Sequence, residues 1–346
     1  MKHLLTITLL FCVFITNATI LRVNNNSGVV AVPGLLYLNL DNAFTDAQDG
    51  DTLYLEPSST SYSTASLTNI TKRLVWYGNG YQIGENSSLI TPLSYSTLES
   101  KFSANSSVNI KNTAAGSVFN GINFFSGNVN VEAGATAVEF HRCSFTNDLQ
   151  LISSNNLVNQ CFFSHQGSIF GNGTNNLIKN SIINEAILTQ VGAVIDNSFI
   201  NSVGFGNSSM PENCAFTNCI ILHAPSAVPL TNTFSHCMKL VNQTTSSTTF
   251  PIAGINNNVE NVPIENVFIV ANPLASTRRD RDFRLSITSP AKNVGINGVD
   301  MGAFGGTNPY RLSGQPPVPV ITNFFLSTTG STSSGLTGSI TIKSNN

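Results

Sequence analysis

Charge is the scarcest property of this sequence. Lys, Arg, Asp and Glu make up 10% of its 346 residues and the net charge is −2, whereas a typical globular domain carries about 25% charged residues. No basic stripe exists to meet nucleic acid or an anionic membrane surface. Scarce charge signals disorder only when apolar content is low as well, and hydrophobic residues here reach 41%. Beyond the first fifteen residues no apolar run is long enough to cross a bilayer. Polar surface comes instead from Asn, Ser, Thr and Gly, with 44 asparagines. Asn disfavours helix interiors but tolerates left-handed backbone and bonds to nearby peptide groups. That wealth of Asn predicts many short strands joined by tight corners.

The N-terminus reads as an export signal: Lys2 and His3 precede an apolar run from Leu4 to Ile15, then Thr16-Asn17-Ala18, which suits cleavage near Ala18. A secreted or cell-surface protein without a transmembrane segment after signal removal is expected. If Cys12 leaves with the signal, Cys143, Cys161, Cys214, Cys219 and Cys237 remain. Five is an odd number and argues against a full disulfide framework.

The middle of the chain repeats. Seven segments share one pattern, with a small or apolar residue at the fourth place: 119–124 (FNGINF), 140–145 (FHRCSF), 158–163 (VNQCFF), 178–183 (IKNSII), 195–200 (IDNSFI), 216–221 (FTNCII) and 234–239 (FSHCMK). Their starts are 21, 18, 20, 17, 21 and 18 residues apart, about 19 on average. A period near 20 in strand-like sequence marks a solenoid, and helical solenoids need more than about 30 residues per unit. A second apolar pair follows in several units, as Val129/Val131, Leu149/Leu151 and Val203/Phe205. A third strand must close each coil, and its position is open.

The fourth position predicts one inward stack: Ile122, Cys143, Cys161, Ser181, Ser198, Cys219 and Cys237. Cysteine serves there as a small apolar filler. The residue before each, from Gly121 through Arg142, Gln160, Asn180, Asn197 and Asn218 to His236, should face outward or sit at a bend. Cys214 falls outside the stack.

A solenoid exposes two edges that invite aggregation unless covered. Leu40, Ala43, Phe44 and Ala47 share one helical face, then Gly50-Asp51 turns the chain into the strand Thr52–Leu55. This stretch resembles the capping helix and first strand of bacterial exported β-helix proteins of the pectin-lyase-like superfamily, and residues 72–81 (KRLVWYGNGY) fit the same pattern. Residues 282–285 (DFRL), 289–295 (SPAKNVG) and 300–305 (DMGAFG) are similar to the closing phrase of those proteins. Lys292 and Gly305 depart from it. The resemblance covers roughly residues 36–305 and implies an all-β, right-handed parallel β-helix with three-strand coils and an N-terminal capping helix. Handedness follows the usual parallel crossover. The expected division is a signal at 1–18, the capped β-helix at 19–312, and a Pro-rich linker with a Ser/Thr/Gly-rich tail at 313–346.

The fold leaves function open, because lyases, hydrolases and adhesins share it. A pectate-type lyase needs carboxylates to hold Ca²⁺ and a basic side chain to take a proton; a hydrolase needs two carboxylates across the scissile bond. The repeat region holds only Glu132, Glu139, Asp148, Glu185, Asp196 and Glu212, at unlike pattern positions. No catalytic residue, cofactor or metal site is expected, with Ca²⁺ relevant only to a lyase. His141 and His236 lie about five coils apart, too far to share a metal, and His165 and His223 are expected in solvent. The densest charges are Arg278, Arg279, Asp280, Arg281 and Asp282. They read as a solvated loop near the C-terminal end or as an arginine fork for an acidic glycan or a partner carboxylate. One member each of Phe124/Phe125 and Phe162/Phe163 should point outward. The leading expectation is a non-catalytic scaffold for polysaccharide or a cell-surface protein. A polysaccharide lyase or glycoside hydrolase, and a self-associating structural protein, are the alternatives.

Overall fold

The computed structural model describes residues 18–64, 67–90, 101–104, 107–164, 166–187, 189–204, 210–223, 231–241, 256–274, 279–317, 319–327, 329–330 and 335–343. The signal segment, His165, Phe205 and Arg278 lie outside them, apart from Ala18. The chain is a parallel β-solenoid. Its first sheet has 11 strands stacked almost in chain order, from Leu36–Tyr37 and Ile20–Val23 at one edge to Thr233–Ser235 at the other. A second sheet of 15 strands carries the remaining two strands of each coil, joined where Ile182–Ile187 spans both rows.

The six-residue phrase proves to be two strands with a corner between them. In one coil Val118–Asn120 forms the first strand and Asn123–Ser126 the second, and Val129–Val131 is the third strand that closes the circuit. The corner falls on the third pattern residue. Gly121, Arg142, Gln160, Asn180, Asn197, Asn218 and His236 all take positive φ, between 44° and 62°. Asn is frequent there because its left-handed conformation costs little. Each corner N–H from Gly121 to Asn218 donates to a carbonyl of the next coil, as Arg142 to Asn159 and Asn180 to Asp196.

Turning at that residue sends the next side chain inward. Ile122, Cys143, Cys161, Ser181, Ser198, Cys219 and Cys237 are all buried, as the spacing predicts. The thiols of Cys143, Cys161, Cys219 and Cys237 lie within hydrogen-bonding reach of carbonyls one coil back, those of Phe119, Phe140, Ile195 and Phe216. The hydroxyls of Ser181 and Ser198 donate to Lys179 and Asp196. Burial pushes the Cys143 and Cys219 thiols up, away from the thiolate a metal or nucleophilic site requires. Cys214 is buried outside this stack, its thiol on the Gln190 carbonyl.

The helix α1 (Leu40–Asp46) buries Leu40, Ala43 and Phe44 in the inner core, with Phe44 stacked 6.3 Å from Trp76. Asn39 caps its start by accepting from the Asp41 and Asn42 amides. Its end is held by Lys72, whose ammonium donates to the carbonyls of Phe44, Thr45 and Ala47 at 2.7–2.8 Å. A cation there meets both the unpaired carbonyls and the negative end of the helix dipole. Lys72→Met is expected to lower stability by about 1–2 kcal/mol in urea denaturation; an unchanged midpoint would remove Lys72 from the cap. At the far edge of the first sheet, Asn256 and Asn258 donate side-chain amides to the Phe234 carbonyl, so that carbonyl is not left open to another strand.

The closing phrase does not cap the C-terminal end. Residues 296–316 run back along the outside of the solenoid, against the direction of coil growth, and the row of corners holds them. Asn218 accepts from the Ile296 amide and its carbonyl from that of Gly302. Asn180 donates to Ala303 and Gly305, Gln160 to Asn308 and Pro309, and Arg142 to Gln315. The Tyr81 amide finally donates to Ser313, in an early coil. This strap covers a second hydrophobic core in which Phe162, Ile182, Phe199, Ile220 and Met238, outward on the second sheet, meet Phe268, Phe283, Met301 and Tyr310. Phe162 therefore points out of the solenoid yet is buried, whereas Phe125 is 47% exposed. Ser313, Gly314 and Pro316 are buried, so the strap passes the division expected after residue 312. Gly305 is explained as well: a Cβ there would lie 1.8 Å from the Asp300 carbonyl oxygen. Lys292 pairs with Asp300 at 3.6 Å. Beyond the strap, Val320–Leu326 and Gly338–Lys343 form an antiparallel hairpin.

Candidate functional site

Strand alternation puts two rows of side chains on the outer face of the first sheet. The row next to the corners is Tyr77, Asn120, His141, Asn159, Lys179, Asp196, Thr217 and Ser235, each in register with the next. The other row is more apolar and includes Val75, Val118, Leu157, Leu177 and Val194. Over the early coils the strap stands beside these rows, and the two enclose a groove of about 380 Å³. Val75, Val118 and Pro317 give it apolar walls, and Tyr77 an aromatic one. Asn120, Asn159, Gln160 and Asn308 bring amides, and His141 and Arg142 complete the lining.

The two basic side chains of the groove are tied to the protein. His141 Nε2 lies 2.7 Å from Glu139 Oε2, and its Nδ1 lies 3.2 Å from the Asn159 amide nitrogen. Those partners suit the neutral tautomer that donates from Nε2 and accepts at Nδ1. Arg142 donates from Nε to Gln160 Oε1 and from Nη1 to the Gln315 carbonyl, both at 2.8 Å. Burial first, then nearby Arg311, lowers its pKa from the ordinary value.

Among the described residues, carboxylates do not converge on the groove. Glu139 and Asp196 share the outer face of the first sheet three coils apart, about 14 Å at strand spacing. The pairs that hydrolyse glycosides stand about 5–9.5 Å apart. Glu132 pairs with Lys111 just past the ends of the third strands, and Asp148 accepts from the Ser168 amide. Burial raises the Asp196 carboxyl, against the hydrogen bonds of Asn197 and Asn218 and the charge of Lys179. Among the described residues no group of three or more His, Cys, Asp or Glu side chains gathers as a metal site would require. His223 is exposed.

The charged segment 279–282 is not a solvated loop. Asp280 is 0% exposed and accepts from the Asn86 amide, the Ser313 backbone N–H and the Tyr310 hydroxyl. Tyr310 also meets the Tyr81 hydroxyl at 2.5 Å. Asp282 is buried and binds the Arg279 side chain at 3.4 Å, while Arg279 lies 3.7 Å from Glu85 and Arg281 donates to the Glu85 carbonyl. Asn86 and Glu85 belong to α2 (Ile83–Ile90), an insertion among the early coils. The cluster thus fastens the returning chain to that insertion. The described residues do not include Arg278.

Burial pushes the Asp280 carboxyl above the usual range, against the pull of its hydrogen bonds from Ser313, Asn86, Tyr310 and the Arg281 amide. The folded chain then holds this proton more tightly than the unfolded one. The associated stability is present at and below the ordinary carboxylate range and is lost as pH rises through the raised value. Relative to Asp280→Asn, the native chain should lose stability with rising pH across that window, measured as the difference between urea midpoints. A difference that grows with pH would reverse the assignment.

The solenoid gives the groove two residues from each of four coils, and these change type from coil to coil, so the sequence offers little signal for them. The corner row was the available clue, since Gln160 and Arg142 hold the opposite wall. No helix among the described residues is long and apolar enough to cross a membrane. No family model matches this sequence, and no curated protein does.

Proposed function

We propose that the chain is an exported or cell-surface β-helix of the pectin-lyase-like kind that binds a ligand without cleaving it, acting as a rigid scaffold for glycan or a partner protein. The carrying observation is the groove between the first sheet and the strap: it is lined by amides, an aromatic ring and aliphatic side chains, and its basic groups are engaged within the protein. The N-terminal apolar run supports export, and the capping and closing phrases support the superfamily. The test is incubation of residues 19–346 with a broad polysaccharide panel, with and without Ca²⁺. Retention on a polysaccharide without released oligosaccharides is expected. Released products with unsaturated ends would identify a lyase, hydrated ends a hydrolase, and either would overturn the binding reading.

One observation favours the enzymatic alternative. Glu139 and His141 form a hydrogen-bonded pair at the groove, and such a pair transfers protons when a substrate lies within reach. Under that reading Glu139→Gln abolishes product release and leaves retention intact.

A further inference from the structure

We infer that the groove takes an uncharged saccharide, held against Tyr77 and the neighbouring valines and recognised through its hydroxyl groups. This inference rests on the scaffold reading above and specifies the ligand class.

A volume of about 380 Å³ lies within the range of small-molecule sites, ~300–1,000 Å³. The lining divides into two chemistries. Val75, Val118 and Pro317 flank the Tyr77 ring, a surface suited to the C–H face of a sugar ring. Asn308 and, set deeper, Asn120 carry groups that both donate and accept, which matches hydroxyls that do the same, while the Asn159 amide is committed to His141. Tyr77 is half-buried and Asn308 exposed, so both are reachable from solvent.

Charge decides the class. An acidic sugar requires a cation to offset the cost of desolvating its carboxylate. Arg142 is bound to Gln160 and Gln315, and His141 faces the Glu139 carboxylate. Along the same row the next cation, Lys179, stands one coil beyond Asn159 and adjacent to Asp196, with which it is in register. The lining thus offers an acidic sugar no basic side chain that is not already engaged by a protein group. A peptide adding as a strand is also disfavoured, because the groove lies on the paired interior of the sheet and offers no free backbone edge.

The experiment is saturation-transfer NMR on residues 19–346 with cellobiose, maltose, lactose and digalacturonate as probes, followed by titration of those that respond. At least one neutral disaccharide should receive saturation and digalacturonate none. Tyr77→Ala and Asn308→Ala should each weaken the neutral probe about tenfold or more without shifting the thermal midpoint, whereas Gln150→Ala, on the third-strand row, should change nothing. Digalacturonate binding that is lost in Tyr77→Ala would overturn the uncharged class and leave the scaffold reading standing. Neutral binding that survives both groove variants would overturn the groove as its site. If no sugar binds, the inference fails together with the glycan half of the proposed function.

Discussion

Phe145→Ala is expected to destabilise the chain by about 3–5 kcal/mol. Phe145 is 1% exposed and sits in the middle of an inner aromatic column. Its ring stacks on Phe124 at 5.0 Å and on Phe163 at 4.7 Å, and it meets Phe140 edge-on at 5.5 Å. Truncation leaves a cavity spanning three coils, each of which touches only its neighbours, so collapse around it is limited. Phe125→Ala is the matched control: it is also a phenylalanine on a second strand, but of opposite parity. Phe125 is 47% exposed, and the Lys101 ammonium lies 5.1 Å from its ring centroid. A cation–π contact at such a site contributes about 0.5–1 kcal/mol, so this variant should lose no more than that. Urea denaturation distinguishes them, and equal losses would mean that the register of the second sheet is wrong.

Parity of this kind was legible in the sequence because it repeats. The phrase around Cys143 (FHRCSF) returns one coil later around Cys161 (VNQCFF) with apolar residues at the same first, fourth and sixth places, and that recurrence assigns the fourth side chain to the interior. The cap was legible for a similar reason, since Leu40, Ala43, Phe44 and Ala47 fall on one helical face. The third strand was harder to read. Val129/Val131 stands out in the sequence as a second apolar pair; the corner that splits the six-residue phrase into two strands, and so makes this pair the third, carries no apolar signal of its own. The strap left no periodic trace at all. Its contacts run from polar corner side chains to backbone carbonyls more than a hundred residues away, as Asn180 to Ala303 or Arg142 to Gln315. Composition alone made Arg279–Asp282 look solvated, because the partners that bury Asp280 lie in α2 and at Tyr310 and Ser313. The groove inherits both difficulties: one wall changes residue type with every coil, and the other belongs to the strap.

Gly314→Ala should lift the end of the strap from the solenoid. Gly314 has φ +55, and a Cβ there would lie 2.2 Å from Tyr81 Cε1 and 2.3 Å from the Arg142 carbonyl oxygen. The second contact is backbone of the solenoid itself, so the strap must yield. The left-handed conformation costs an alanine about 1–2 kcal/mol, and overpacking typically adds about 1–3 kcal/mol. Displacement also pulls the Ser313 amide away from Asp280, leaving a buried carboxyl short of a donor at 2.6 Å. A loss of at least about 3 kcal/mol is therefore expected, with faster hydrogen exchange in residues 79–86 and 311–316. Gly28→Ala isolates the conformational part: its φ is +82 and nothing lies within 4 Å of the added carbon, so it should cost only about 1–2 kcal/mol. If the two variants lose the same amount, the strap end is not packed against the solenoid. The Pro317 wall then moves freely, and a groove that depends on it cannot hold a ligand in one pose.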